Sequence, residues 1–139
     1  MTTPIPRGIH LANPGNVRHS DTHWIGQATD QPDPSFVAFT DPVYGIRACA
    51  RILLNYGRLH GLKTIREIVT RWAPAEDNND VEAYVDDVAQ RMGVGPDDVL
   101  DLENSPRLRE LVSAIIKHEN GAQPYTLDVL SRGVSMAIA

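Results

Sequence analysis

Hydrophobic positions divide this chain at about residue 41. Beyond it they recur at three- and four-residue steps, the spacing that lines one helix face at about 100° per residue. "PVYGIRACARILLNYGRLHG" carries Ile46, Cys49, Ala50, Leu53, Leu54 and Tyr56 in that register and stops at Gly61. "TIREIVTRWAP" opens on Thr64 and Glu67, three apart as in a capping box, and is halted by Pro74. "NDVEAYVDDVAQRMG" repeats the device with Asn79 and Glu82, then sets Val81, Tyr84, Val85, Val88 and Met92 on one face. "SPRLRELVSAIIKHENG" has Ser105 as N-cap, Pro106 at the first helical position and Gly121 past the end. A last helix covers "TLDVLSRGVSMAIA", weakened by Gly133.

Before residue 42 the helical period is lost. Pro4, Pro6, Pro14, Pro32 and Pro34 interrupt the chain, with Gly8, Gly15 and Gly26 between them. Weak alternation at "NVRH" and "FVAF" leaves room for a short β-hairpin. The expectation is a mainly α, single domain of about five helices over 42–139, preceded by an irregular arm over 1–41. An irregular stretch that long inside a compact domain is usually functional or partly disordered.

Composition narrows the functional classes. The 139 residues suit one domain with one core, and the 42% hydrophobic and 22% charged content is that of a globular protein. A net charge of −5 argues against nucleic acid as partner, because phosphate contacts need a basic face. It also offers no long-range attraction to an anionic cell-wall polymer, so any such binding must be local. Cys49 is the single cysteine and sits in the apolar "IRACARILL", which suggests a buried structural thiol and no disulfide framework. "MTTPIPRGIHLANPGN" lacks a signal-peptide pattern, and no apolar run approaches the roughly 18 residues of a membrane span. Action outside the cytoplasm would then need another agent to carry or release the protein.

One carboxylate stands out. In "AIIKHENG", Leu108, Leu111, Val112, Ile115 and Ile116 form a helical stripe, and Glu119 falls near the middle of its arc. Asn120-Gly121 ends the helix. Desolvation and the negative end of the helix dipole both work against a charge at that place, the condition a general acid exploits. The structural alternative is a helix-end acid paired with Arg47, Arg51 or His118, or one that reaches out to solvent where the stripe frays. "NPGNVRHS" and "HWIG" add Asn13, Asn16, Arg18 and Trp24, amides and a flat ring of the kind that holds sugars. The same asparagines could instead satisfy turn backbone, with Trp24 anchoring the arm. In "RWAPAEDNND", Trp72 could line a cleft, whereas Pro74 stops a helix, Asn79 caps one, and Asp77, Asn78 and Asp80 read as a solvated link.

Other chemistries find no pattern. The histidines at 10, 19, 23, 60 and 118 include no HExxH, so no metal site is expected. There is no G-x-S-x-G, and Gly93-Val94-Gly95-Pro96 follows a helix instead of opening one. No organic cofactor is implied.

Together the strings resemble a family of phage and prophage virion structural proteins. The likeness rests on the N-P-G-N-x-R run at 13–18, G-x-R-A at 45–48, T-I-x-x-I-x-x-x-W-A-P at 64–74, and the asparagine and tyrosine that follow. It extends over about 13–121, most of the chain. A more distant similarity is to lysozyme-like glucosaminidases and lytic transglycosylases, whose catalytic glutamate ends a helix in E-S-G. Here "NPGNVR", "HWIG" and "FVAF" look like the later part of that arrangement, and "HENG" like the E-S-G, with Asn120 where serine is usual. The order implies a circularly permuted lysozyme-like domain. The resemblance implies cleavage of the β-1,4 bond between N-acetylmuramic acid and N-acetylglucosamine, with Glu119 as general acid. A second carboxylate would come from Glu67, Glu76 or Asp77, none selected by the sequence, which tilts the expectation from hydrolase towards transglycosylase. Asn16, Arg18 and Trp24 would hold the glycan, assisted by Trp72 and Tyr84. Peptidoglycan strands, and other virion proteins, are the implied partners, with the phage particle or host cytoplasm as residence before action at the cell wall and no insertion in a membrane. The rival expectation is a non-catalytic virion or glycan-binding protein with the same fold.

Overall fold

A computed structural model describes residues 4–139. The five helices expected beyond residue 41 are all present. Helix α2 runs Pro42–His60 and ends on Gly61 in the left-handed conformation, and its N-cap Asp41 accepts from the Val43 amide at 2.9 Å. Helix α3, Ile65–Trp72, carries the complete capping box of Thr64 and Glu67. A 3-10 turn at Ala75–Asp77 leads to α4, Val81–Met92. Helix α5 is Ser105–Asn120 and α6 is Leu127–Ile138. None of these helices is long and apolar enough to cross a membrane.

Two caps differ from the sequence expectation by one residue. Asp80, not Asn79, caps α4, accepting from Ala83 at 3.1 Å, because Asn79 gives its amide to the Pro74 carbonyl. Asn104, not Ser105, caps α5, its side chain accepting from the Arg107 amide at 3.0 Å. The chemistry is the same in each case: an acceptor side chain satisfies an amide left free in the first turn.

The core is the sum of the apolar stripes. Leu53 and Leu54 of α2, Ile65 and Ile68 of α3, Tyr84 and Val85 of α4, and Leu108, Leu111, Ile115 and Ile116 of α5 are all essentially removed from solvent. Each buried aliphatic side chain of this kind contributes about 1.5–3 kcal/mol. Helix α5 lies at the centre, against α2, α4 and α6 and against the short helix α1, Arg7–His10, of the arm. Gly133 is why α6 can cross α2 so closely. A methyl there would run into Ile46 and the Val43 carbonyl, so the residue that weakens α6 locally is what docks it.

The arm holds two departures. A four-residue helix, α1 at Arg7–His10, forms where prolines suggested none; Pro4 and Pro6 precede it and do not interrupt it. The hairpin reduces to two isolated antiparallel bridges, Arg18 with Phe36 and Gln27 with Phe39. "NVRH" and "FVAF" do meet, but only briefly. The arm packs through small apolar clusters, Val17, Val37 and Phe39 closing on Ala48 of α2.

Candidate functional site

The site forms where the arm meets the C-terminal end of α5. The α5 stripe carries Glu119 to the last turn, and Gly121 ends the helix with φ 71°. Asn120 then ties the arm down, donating to the Pro14 carbonyl at 2.7 Å and to Ile116 at 2.9 Å. Asn16 sits at φ 54°, a left-handed conformation that asparagine tolerates better than most residues. From there its Nδ2 donates to Glu119 Oε1 at 2.8 Å, across 103 residues of sequence. Among the described residues the side-chain oxygens of Asn16 and Asn120 find no donor, and both abut Gly8, where a methyl would meet them at 2.6 and 2.7 Å. The bare glycine is what lets the two amides close over α1.

The second oxygen of Glu119 is held from below. Tyr84, buried on α4, donates its hydroxyl to Oε2 at 2.8 Å. Burial first, and then the charge and hydrogen bond of Glu119, push the Tyr84 hydroxyl well above the usual phenol range, so it stays a donor. The Tyr84 ring lies on His118 with centroids 3.7 Å apart. His118 Nδ1 in turn stands 2.7 Å from Asp87 Oδ2, and Arg91 donates to Asp87 Oδ1 at 2.9 Å. Burial works to raise the Asp87 carboxyl, but its His118 and Arg91 partners outweigh that and hold it below the usual aspartate range. Cys49 lies beneath, fully buried; desolvation, then the negative Glu119, drives its thiol far above the ordinary range, the inert structural role expected.

Glu119 therefore does not sit in an apolar pocket, as the stripe alone suggested, nor in an ion pair. Among the described residues none of Arg47, Arg51 and His118 bridges to it: Arg51 donates to the Ala137 carbonyl, and His118 holds Asp87. The carboxylate is half-buried, fixed by two neutral donors, and lines an open cleft of about 210 Å³. Arg18, Phe36, Tyr56, Trp72, Asp77 and Asn79 line the same cleft. Tyr56 and Trp72 meet edge to face, centroids 6.4 Å apart.

The residues singled out from sequence thus separate. Glu119, Asn16, Arg18 and Trp72 come together at the cleft. Asn13 does not. It is fully buried, donates to the carbonyls of Val17 and Val37 at 2.9 and 2.8 Å, and accepts from the Val17 amide at 2.9 Å, which leaves nothing for a ligand. Trp24 is half-buried on the apolar cluster of the arm and is not part of the cleft wall. Tyr84 lies under the carboxylate instead of in the opening. Of the three carboxylates considered as partners, Asp77 lines the cleft, whereas Glu67 is engaged in its capping box and Glu76 is exposed outside it. Tyr56 and Phe36 were not anticipated as cleft residues. Tyr56 lies on the α2 stripe, where an aromatic reads as core, and nothing in "FVAF" distinguishes a wall from a strand.

Comparison with known proteins bears on origin. No family model matches the chain. Protein P5 of Pseudoalteromonas phage PM2 is 40% identical over 130 residues, covering 91% of this chain and 79% of that protein. The chain belongs to the family of phage protein P5.

Proposed function

We propose that this phage protein cleaves peptidoglycan as a lytic transglycosylase, with Glu119 as its acid and then its base. The observation that carries the reading is the Glu119 carboxylate, set in the wall of an open cleft with one donor fixed on each oxygen. Each oxygen accepts one hydrogen bond and keeps a lone pair that can carry the transferred proton. The buried Tyr84 and the arm residue Asn16 hold the side chain in one orientation, which is how a scaffold makes a proton transfer efficient. The cleft is smaller than the roughly 300–1,000 Å³ of pockets that engulf a ligand. It suits a strand that crosses it, with sugar faces on Trp72 and Tyr56 and polar edges towards Asn79 and Arg18.

In this reading Glu119 gives its proton to the glycosidic oxygen as the bond from muramic C1 breaks. The C6 hydroxyl of the same muramic residue then attacks the oxocarbenium-like C1 and returns its proton to Glu119, closing a 1,6-anhydro ring. No second carboxylate is required. Asp77, which lines the same cleft, is the group that would steer a water if the outcome were hydrolysis. The partners are glycan strands of the cell wall and the virion proteins that deliver the enzyme to them.

The test is mass-spectrometric analysis of muropeptides from purified sacculi treated with the wild type and with Glu119→Gln. Anhydro-muropeptides from the wild type alone are expected, with the variant's fold intact by circular dichroism. Reducing-end products would make the protein a muramidase using Asp77. No release by a protein that still binds sacculi, while a control muramidase digests them, would leave a non-catalytic virion or glycan-binding role.

A further inference from the structure

Among the described residues, one guanidinium group in the cleft wall and one behind it have no acidic partner. Arg18 lines the cleft, its guanidinium carbon 5.0 Å from the centroid of Phe36, another wall residue. Arg71 stands 5.7 Å from the centroid of Tyr56, also in the wall. Among the described residues neither arginine takes part in an ion pair. Both are exposed, in a chain of net charge −5 where eighteen acids compete for thirteen cations. An aromatic face under a guanidinium restricts its motion while leaving its N–H fork free. Such a fork matches a carboxylate.

We propose that Arg18 is a specificity residue, which binds a carboxylate carried by the glycan strand, with Arg71 as a second, weaker contact. The inference rests on the glycosidase reading for the identity of the polymer, and its chemistry follows from the two propped cations. It resolves how an acidic protein can bind an anionic polymer: attraction is confined to the cleft and is not spread over the surface. In intact strands the carboxylates belong to the stem peptides. In strands stripped by an amidase they belong to the freed lactyl groups. Chitin oligomers share the sugar backbone and have none.

Binding is measured with the Glu119→Gln protein, and with the wild type held on ice, so that the result does not depend on cleavage. Against intact sacculi, Arg18→Ala should weaken binding about tenfold, the scale of one lost charge-assisted contact. Arg18→Lys should recover part of it, and the difference should shrink in high salt. Binding of chitin oligomers should be unchanged. A loss on intact sacculi that vanishes on amidase-stripped strands assigns the contact to the stem-peptide carboxylates alone; a loss on both shows that the freed lactyl carboxylate can serve in their place. Equal binding of sacculi by Arg18→Ala and its parent overturns the proposal. So does an equal loss on chitin, which would make Arg18 a general sugar contact. Arg18-dependent binding by a wild type that releases no muropeptides would leave this inference standing and remove the catalytic one.

Discussion

In the helical body the backbone satisfies itself within each helix, and the elements are joined by apolar side chains such as Leu53, Ile68, Leu111 and Ile115, all at 0% exposure. In the arm, side chains perform the backbone's work. Asn13 makes three hydrogen bonds to the main chain of Val17 and Val37. Gln31 does the same for Ala28 and Ala38, each at 2.8 Å. Asp33 accepts the Ser35 and Phe36 amides at 2.8 and 2.9 Å. The difference concerns tolerance. Apolar burial is non-directional, so the body needs hydrophobic volume at the right period. A polar latch needs one particular group at one particular distance. The cleft lies at the seam, and takes its acid from the body and one of the two groups that hold it from the arm.

The largest effect should come from breaking the body. Ile115→Ala removes a fully buried side chain from the central helix and should cost about 4 kcal/mol, read as a lower denaturant midpoint with an unchanged slope. Both regions should melt together, because the arm is docked on α2 and α5.

Asn13→Ala attacks the arm and should cost less, about 2 kcal/mol, since water can reach some of the Val17 and Val37 groups once they are released. The sharper expectation is spatial. Hydrogen exchange should speed up at the amides of Val17 and Val37 while those of α5 keep their protection. Protection lost equally at Val17, Val37 and along α5 would break the comparison and make arm and body one cooperative unit.

The same contrast explains what could be read from the sequence. Helices α2 to α6 were legible because a stripe such as Leu108–Leu111–Ile115 declares its own period. Their caps slipped by one residue at α4 and α5, since a cap depends on which neighbouring side chain is already engaged, as Asn79 is with Pro74. The arm was legible only as a place where helices are rare. Asn13 reads as a turn residue or a sugar ligand until the Val37 carbonyl, 24 residues on, is known to face it. Glu119 could be found because its oddity is local, an acid on an apolar stripe. Its two donors could not, being 103 and 35 residues away. Asn120, which in the sequence only ends a helix, gained meaning with the Pro14 carbonyl beside it.

The smallest effect belongs to Asp33, the one charged latch of the three. The Ser35 and Phe36 amides, with Arg7 4.0 Å away, hold its carboxyl below the usual aspartate range. A carboxyl lowered by folding stabilises the native state above its ordinary titration range, and that contribution is lost as pH falls through the lowered value. Both amides bond the same oxygen, Oδ1, so Asp33→Asn keeps the acceptor and removes the charge. Wild type should therefore lose slightly more melting temperature than the variant as pH falls from the ordinary aspartate range through the lowered value, the two converging only below it. A constant offset across that range would mean the charge contributes nothing. Asp33 would then latch the arm as Asn13 and Gln31 do, by the placement of a neutral acceptor alone.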